Sequence, residues 1–176
     1  MLGESRRAHR WWAATVLVAV ALVVWLSRSS DTARIGAVLD EVSAALTQSG
    51  PGEDAEREAR LRRVFTGAFT ADARVSAPDL TVAGAGPGPL AAMAARVMQG
   101  FESTRIEPGP PTIDVGTSGR EASAQLQLIA SGSGPRAGTV TEVREARVAL
   151  RKTEWGWRIY SVGLSAPSHD EPEARP

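Results

Sequence analysis

Histidine, the side chain that most often moves protons near neutral pH, occurs at two positions in the 176-residue chain. His9 precedes a long apolar run near the N-terminus, and His169 lies in a polar segment near the C-terminus. Neither position belongs to a segment with the apolar periodicity of a folded core. Cysteine is absent, which excludes thiolate chemistry, disulfides and cysteine zinc sites. The sequence argues against a histidine-based mechanism, and we expect no metal site and no cofactor.

Carboxylates and a single tyrosine are the remaining candidates for acid–base chemistry. Asp79 follows Pro78 in a predicted loop that can reach the mouth of a pocket, which makes it the best candidate for a general base. Asp72 follows a predicted helix, where an aspartate is more typical of a turn. Tyr160 alternates with apolar residues in a predicted strand, so we expect its ring in the core or in a pocket wall. Asp79 and Tyr160 are therefore the catalytic candidates.

Two glutamates on one predicted strand have a different interpretation. Glu142 and Arg144 are two residues apart, as are Glu145 and Arg147, so each pair shares one face of the strand. Opposite charges at this spacing are typical of a solvent-exposed sheet surface. We expect ion pairs on the sheet surface, with a role in a pocket as the alternative.

Three helices are predicted before residue 102, because apolar residues recur there at helical spacing. The first covers residues 32–49, the second begins near Glu53, and the third covers residues 89–101, where a proline suits the first turn. The apolar stripes that must pack against another layer are Ile35, Val38, Leu39, Val42 and Leu46; Leu61, Val64, Phe65 and Phe69; and Leu90, Met93, Val97, Met98 and Phe101.

Extended segments dominate the rest of the chain. Residues 73–88 are interrupted by proline and glycine, which predicts one or two short strands with turns. Four longer segments follow, separated by short turns that favour an antiparallel meander: residues 112–116, 121–131, 139–152 and 155–164. The predicted fold class is α+β, with three N-terminal helices packed on one side of a curved antiparallel sheet.

An uncharged apolar run occupies residues 11–26, and its most polar residue is Thr15. As a helix this run spans roughly 24 Å, so flanking residues are needed to complete a membrane crossing. Tryptophans lie at both ends of the run, where indole rings favour the membrane interface: Trp11, Trp12 and Trp25. We predict a transmembrane helix at residues 11–27 that serves as an uncleaved signal anchor.

Charge around this run predicts its orientation. Three arginines precede it, at positions 6, 7 and 10, whereas Asp31 lies between the two arginines that follow. The positive excess favours an N-terminus in the cytoplasm and a domain outside the cytoplasmic (inner) membrane. The alternative is a cleaved signal peptide, since Ser27 and Ser29 are small enough to precede a cleavage site.

The rest of the composition bounds the partners and the domain organisation. Basic and acidic residues number 20 each, which argues against nucleic acid as a partner. Arginine predominates over lysine and alanine is abundant, a composition that suggests a GC-rich bacterial genome. The predicted organisation is a cytoplasmic N-terminus at 1–10, the membrane helix at 11–27, a linker at 28–32, one domain at 33–165 and a disordered tail at 166–176.

The order of these elements and the last predicted hairpin carry a family resemblance. The segment ARVALRKTEWGWRIYSVGLS, with Trp157 and Ile159, is similar to the closing strands of the nuclear transport factor 2-like superfamily, which includes ketosteroid isomerases and polyketide cyclases. The resemblance covers residues 33–165. It implies a cone-shaped α+β barrel with an apolar pocket, and the expected wall residues are Met98, Phe101, Trp157 and Tyr160. It also implies possible homodimers, since the family often pairs through its sheet.

Three functions are compatible with this sequence. The first hypothesis is a non-catalytic binding or assembly module outside the membrane, whose partner is an envelope protein complex or a small apolar ligand. The second is an isomerase, cyclase or dehydratase that uses a carboxylate in the cone, as members of the resembled superfamily do. The third is a secreted ligand carrier, which requires cleavage after the apolar run. The shortage of acid–base groups favours the first hypothesis.

Overall fold

A computed structural model describes residues 30–48, 54–78, 80–82, 85–135 and 138–167. Within these ranges, no helix has the length and apolar character needed to cross a membrane. The predicted membrane segment at 11–27, the N-terminus before it and most of the predicted tail lie outside the described residues. Asp79 lies outside them as well.

The described residues form three helices, in agreement with the predicted order. Helix α1 covers residues 30–46, α2 covers Asp54–Ala68 and α3 covers Pro87–Met98. Helix α3 begins two residues before its predicted start because Pro87 occupies its first turn, after Gly86 at a φ of 71°. Phe101 lies beyond the end of α3 rather than within it.

Seven strands in the described part of the chain form one sheet. They are β1 Phe69–Ala77, β2 Leu80–Val82, β3 Ser103–Pro108, β4 Thr112–Val115, β5 Glu121–Gly134, β6 Gly138–Thr153 and β7 Gly156–Ser165. Their order is β2-β1-β7-β6-β5-β3, and β4 also pairs with β5. The last four strands, β4 to β7, form the predicted antiparallel meander.

The prediction of a wholly antiparallel sheet is wrong, because β1 and β7 run parallel. Short turns predict antiparallel pairing only between strands adjacent in sequence, and β1 reaches β7 from a distant part of the chain. Strand β3 was also missed. Its sequence has one large apolar residue, Ile106, which gives little strand signal, and β5 is the only strand among the described residues that pairs with it.

A one-residue bulge interrupts the pairing of β6 with β7. Ala149 pairs with Ser161 and Leu150 pairs with Ile159, so Tyr160 is an extra residue on β7. An extra residue reverses which side chains face the helices, because strand side chains alternate between faces. Ile159 before the bulge and Val162 after it therefore both point toward the helices, where they help to line one cavity.

The core lies between the helices and the sheet. Its most deeply buried large side chains come from all three helices and from β6 and β7: Ile35, Leu61, Leu90, Leu150 and Ile159. On β5, the predicted alternation is confirmed, because Ala122, Ala124 and Leu126 are buried and the residues between them are exposed.

Polar contacts hold both ends of α1 against the sheet. At its start, Asp31 accepts hydrogen bonds from Lys152 on β6 and Trp157 on β7. Beyond its end, Gln48 pairs with Thr104 of β3 through backbone bonds of 2.6 and 3.0 Å. The middle of α1 consequently crosses the inner face of the sheet.

Candidate functional site

An apolar cavity of about 220 Å³ lies between the helices and the sheet. Among the lining residues that the structure describes, Ser43 is the only one with a polar side chain. The helices contribute Leu39, Val42, Ser43, Leu46, Phe65, Leu90, Met93 and Ala94, and the strands contribute Phe69, Val75, Ile106, Leu126, Leu128, Ala146, Val148, Ile159, Val162 and Leu164.

Helical and strand periodicity together produce this lining. Leu39, Val42 and Leu46 repeat at three and four residues along α1, so they share the face that crosses the sheet. The sheet side includes the small residue Ala146 on β6, which leaves space that a larger side chain would occupy. The cavity exists because the helix layer and the sheet layer do not fully interdigitate.

A second cavity of about 340 Å³ adjoins the first. Leu46, Ala94 and Ile106 line both cavities, so the two spaces meet at these residues. The predicted wall residues Met98 and Phe101 line this second cavity. The remaining lining residues described here are Val97, Thr104, Ala130, Ser131, Gly132, Val140 and Glu142.

The second cavity reaches the surface. Val97 and Val140, on its rim, are exposed over 64% and 45% of their areas. Glu142 is the one described carboxylate in its lining, and it forms the predicted ion pair with Arg144. The Glu142 side chain is 53% exposed, so this carboxylate lies at a wet mouth rather than in the apolar interior.

The structure places Tyr160 on the opposite face of the sheet from the first cavity. The guanidinium carbon of Arg151 lies 4.5 Å from the centre of its ring, and Arg151 also contacts Asp72, with 3.3 Å between Nη2 and Oδ2. The bulge explains this position of Tyr160. Without it, Tyr160 would alternate with Val162 and Leu164 and would face the cavity as they do. Tyr160 is thus not among the described lining of either cavity.

Asp72 lies in β1 rather than in the expected turn, at an irregularity in the pairing of β1 with β7. A hydrogen bond from Thr70 lowers the pKa of Asp72, and the charges of Arg151 and Arg74 add to this effect. Its carboxylate is therefore ionised and paired near neutral pH. Because it is exposed on the outer side, it has no access to the cavity.

Trp157 is buried, but it contributes to a polar cluster rather than to the described cavity lining. Its indole Nε1 lies 3.0 Å from Oδ1 of Asp31, and Lys152 Nζ lies 2.9 Å from both carboxylate oxygens. The sequence predicted a linker at Asp31, and this cluster was not predicted. One available signal was that Asp31 precedes Ile35, the first large apolar residue of α1, by four positions and so shares its face of the helix.

The cluster keeps Asp31 ionised. Burial alone would raise the pKa of Asp31, but the hydrogen bonds from Trp157 and Lys152, with the charges of Lys152 and Arg34, outweigh it. The resulting pKa lies below the ordinary value of 3.8. Asp31 therefore stabilises the folded state above its unfolded pKa, and this stabilisation is lost as the pH falls through the lower folded pKa.

Within the described residues, no three histidine, aspartate or glutamate side chains come together as potential metal ligands. The described lining of the first cavity is apolar except for the hydroxyl of Ser43. The ionisable groups described above lie at its mouth, on the outer face of the sheet or at the start of α1.

Comparison with solved structures supports the resemblance inferred from the sequence. A nuclear transport factor 2-like protein from Salmonella enterica serovar Typhimurium superposes with a TM-score of 0.66 at 16% identity, over 85% of this chain and 99% of that chain. A similar protein with a cystatin-like fold from Novosphingobium aromaticivorans gives 0.65 at 16% identity, over 85% and 90%. These likenesses define the nuclear transport factor 2-like fold.

The family follows from the sequence profile. The profile of the SnoaL-like domain matches residues 37–162, and the chain belongs to this family. A further solved structure from N. aromaticivorans, proposed to be a scytalone dehydratase, has a TM-score of 0.64 at 16% identity over 81% of this chain and 87% of that one. Comparison with curated protein sequences finds no significant match.

The Asp31 cluster generates a pH-dependent prediction. Asp31→Asn removes the charge that Lys152 faces and should lower the free energy of unfolding by about 1–2 kcal/mol, since Lys152 is partly exposed and its pairing is screened. The difference from the unmodified protein should be greatest above the ordinary pKa of 3.8 and shrink as the pH falls through the lower folded pKa. Chemical denaturation at a series of pH values measures it.

Asp40→Asn is the matched control, because Asp40 is exposed on the same helix. This variant should change stability little at any pH. An Asp31→Asn protein whose stability deficit stays constant as the pH falls would contradict the assignment.

Proposed function

We propose that this SnoaL-like domain binds a small apolar molecule without transforming it, and that residues 11–27 hold it at the outer side of the cytoplasmic membrane. The observation that supports binding is the cavity itself, whose described lining is apolar except for Ser43. Concave, largely apolar sites with few polar groups are the usual binding sites for small molecules.

The cavity suggests the chemistry of the ligand. A dry apolar cavity of about 150 Å³ accommodates benzene, so about 220 Å³ suits a somewhat larger group, such as one substituted ring or a short acyl chain. A charged ligand group would lose its hydration there without gaining a charged partner among the described lining. The adjoining second cavity can hold a more polar end near Thr104 and Ser131.

The catalytic alternative has less support. Proton transfer requires an acid or base within hydrogen-bond reach of the reacting atom, and the described lining of the first cavity contains none. Glu142 is the one described carboxylate in the lining of the adjoining cavity, but it is half-exposed and paired with Arg144. Asp79 remains a catalytic prediction from the sequence. The likeness to a proposed dehydratase, at 16% identity, concerns the fold alone.

The tether follows from sequence features. Residues 11–26 are uncharged and apolar, tryptophans flank them, and three arginines precede them. A tethered domain would meet ligands or envelope proteins at the membrane surface. Assembly with an envelope protein complex, and pairing of two copies through the sheet, remain further proposals.

Photolabelling tests ligand binding. Trifluoromethyl phenyldiazirine, an uncharged probe with one substituted ring whose carbene inserts into nearby C–H bonds on irradiation, should label cavity-lining peptides, including that of Met93, in the full-length protein. Ala94→Phe places a ring at the junction of the two cavities and should reduce this labelling several-fold. Peptide mass spectrometry measures the labelling of each segment.

Ala92→Phe is the matched control, since Ala92 is exposed on the same helix and lines neither cavity. It should leave the labelling of the cavity peptides unchanged. Equal labelling of these peptides in both variants, at similar thermal stability, would contradict binding in the cavity.

Membrane extraction tests the tether. Ala19→Arg combined with Val23→Arg introduces two charges into the apolar run, each costing about 2.5–3.5 kcal/mol near the centre of a membrane helix. The full-length variant should leave the membrane pellet on alkaline carbonate extraction, whereas the unmodified protein should remain there.

The control for this variant combines Ala37→Arg with Ala44→Arg, which adds the same charge at exposed positions of α1. It should remain in the pellet. Release of the unmodified protein by carbonate would refute the tether.

A further inference from the structure

The turn between β6 and β7 presents an exposed tryptophan. Trp155 is 76% exposed, whereas Trp157, two residues later, is 4% exposed. The turn is closed without the Trp155 ring: the backbone N–H of Trp155 donates to the Thr153 hydroxyl at 3.2 Å, and that hydroxyl donates to the Gly156 carbonyl at 2.9 Å. Gly156 adopts a φ of +108°, which favours glycine. The backbone therefore holds the ring outward.

A single exposed apolar residue needs no functional explanation. The location of Trp155 in the fold is what suggests a function. Lys152, three residues before Trp155, lies 2.9 Å from the carboxylate of Asp31. The tip of the hairpin is thereby fixed beside the start of α1. This is the end of the domain at which the chain arrives from the apolar run.

The length of chain available limits how far this tip lies from the membrane. Leu26, the last residue of the apolar run, precedes Asp31 by five positions, which span at most about 18 Å when fully extended. Trp155 follows Lys152 by three positions, a further distance of at most about 11 Å. A bilayer crossed by residues 11–27 would thus have its surface within reach of the Trp155 ring.

We infer that Trp155 inserts into the interfacial layer of the lipid bilayer and forms a second attachment of the domain to the membrane, an inference that rests on the proposed tether. Indole favours this layer because its ring is apolar and its N–H finds a hydrogen-bond acceptor among the headgroups.

Charge makes a smaller contribution to this contact. The Arg34 side chain is 66% exposed. Arg120 is also exposed, and its backbone carbonyl accepts a hydrogen bond from the backbone N–H of Lys152 at 2.8 Å. Glu154, beside Trp155, is exposed and opposes their attraction to anionic headgroups. Insertion of the indole ring, rather than the basic side chains, accounts for the attachment.

The attachment determines where the binding site faces. Strand β6 leads from the second cavity, which Val140 lines, to the hairpin at Thr153. These positions are thirteen steps apart along the strand, which span about 40 Å. With Trp155 at the bilayer, the mouth of the cavity faces away from the lipid, so the ligand enters from the aqueous side or from a partner protein.

The absence of cysteine allows a direct test with a unique thiol. Glu154→Cys, labelled with bimane, reports on the hairpin tip, and Thr141→Cys, labelled likewise, is the control at the far end of β6. The full-length protein is reconstituted into vesicles of phosphatidylethanolamine and phosphatidylglycerol that contain a lipid spin-labelled near its headgroup. Bimane emission is compared between vesicles with and without the spin-labelled lipid, which separates quenching by the lipid from quenching by the neighbouring Trp155 ring. Flotation of the protein with the vesicles is measured on the same samples.

The bimane at position 154 should be quenched several-fold more than the bimane at position 141. Adding Trp155→Ser should abolish this difference while the protein still floats, because the exposed ring is not needed for folding or for the tether. Equal quenching at both positions in a protein that floats, or no effect of Trp155→Ser, would overturn the inference alone. A protein that does not float would instead refute the tether.

Discussion

Helix α1 is held at both ends by polar contacts, and the rest of the site depends on this constraint. At one end, Asp31 accepts hydrogen bonds from Lys152 and Trp157. Beyond the other end, Gln48 forms a backbone bridge with Thr104 of β3. The 17 residues between 30 and 46 span about 25 Å as a helix. The apolar face of α1 is therefore held across the inner face of the sheet, and the unfilled space beneath it becomes the cavity.

The distribution of polar groups agrees with a binding role. An ionised group in the apolar space would lose hydration without compensation, so the described ion pairs lie elsewhere. Asp72 and Arg151 meet on the outer face, Asp31 and Lys152 meet at the start of α1, and Glu142 lies at the mouth of the second cavity. This arrangement suits the cavity to an apolar ligand and places the described acid–base groups outside the first cavity.

Local patterns in the sequence predicted the three helices, the meander and the alternation on β5, since each reflects side-chain periodicity within one element. The family resemblance was confirmed by the SnoaL-like profile and by the fold. The parallel pairing of β1 with β7 and the β3 edge strand depend on contacts between distant segments, which local patterns do not encode. Membrane attachment, the catalytic roles of Asp79 and Tyr160 and the ligand-binding role of the predicted wall residues stay predictions.

Tyr160 and Asp31 show how the site depends on more than composition. Tyr160 is the extra residue in a bulge of β7, so its side chain does not share a face with Val162 and Leu164. No feature of the alternating sequence marks that bulge. Asp31 was assigned to a linker because its partners Lys152 and Trp157 are more than 120 residues away. The positions of both side chains depend on contacts between the helices and the sheet, which a single segment of sequence does not show.

The central claim is that the space beneath α1 is a dry, apolar binding cavity. Xenon occupies such cavities under moderate pressure and does not displace tightly bonded water, so a crystal structure of the protein under xenon tests the claim most directly. The account predicts xenon density among Phe65, Met93 and Val148, which line the first cavity. Ordered water at that position, or a cavity filled by rearranged side chains, would contradict it.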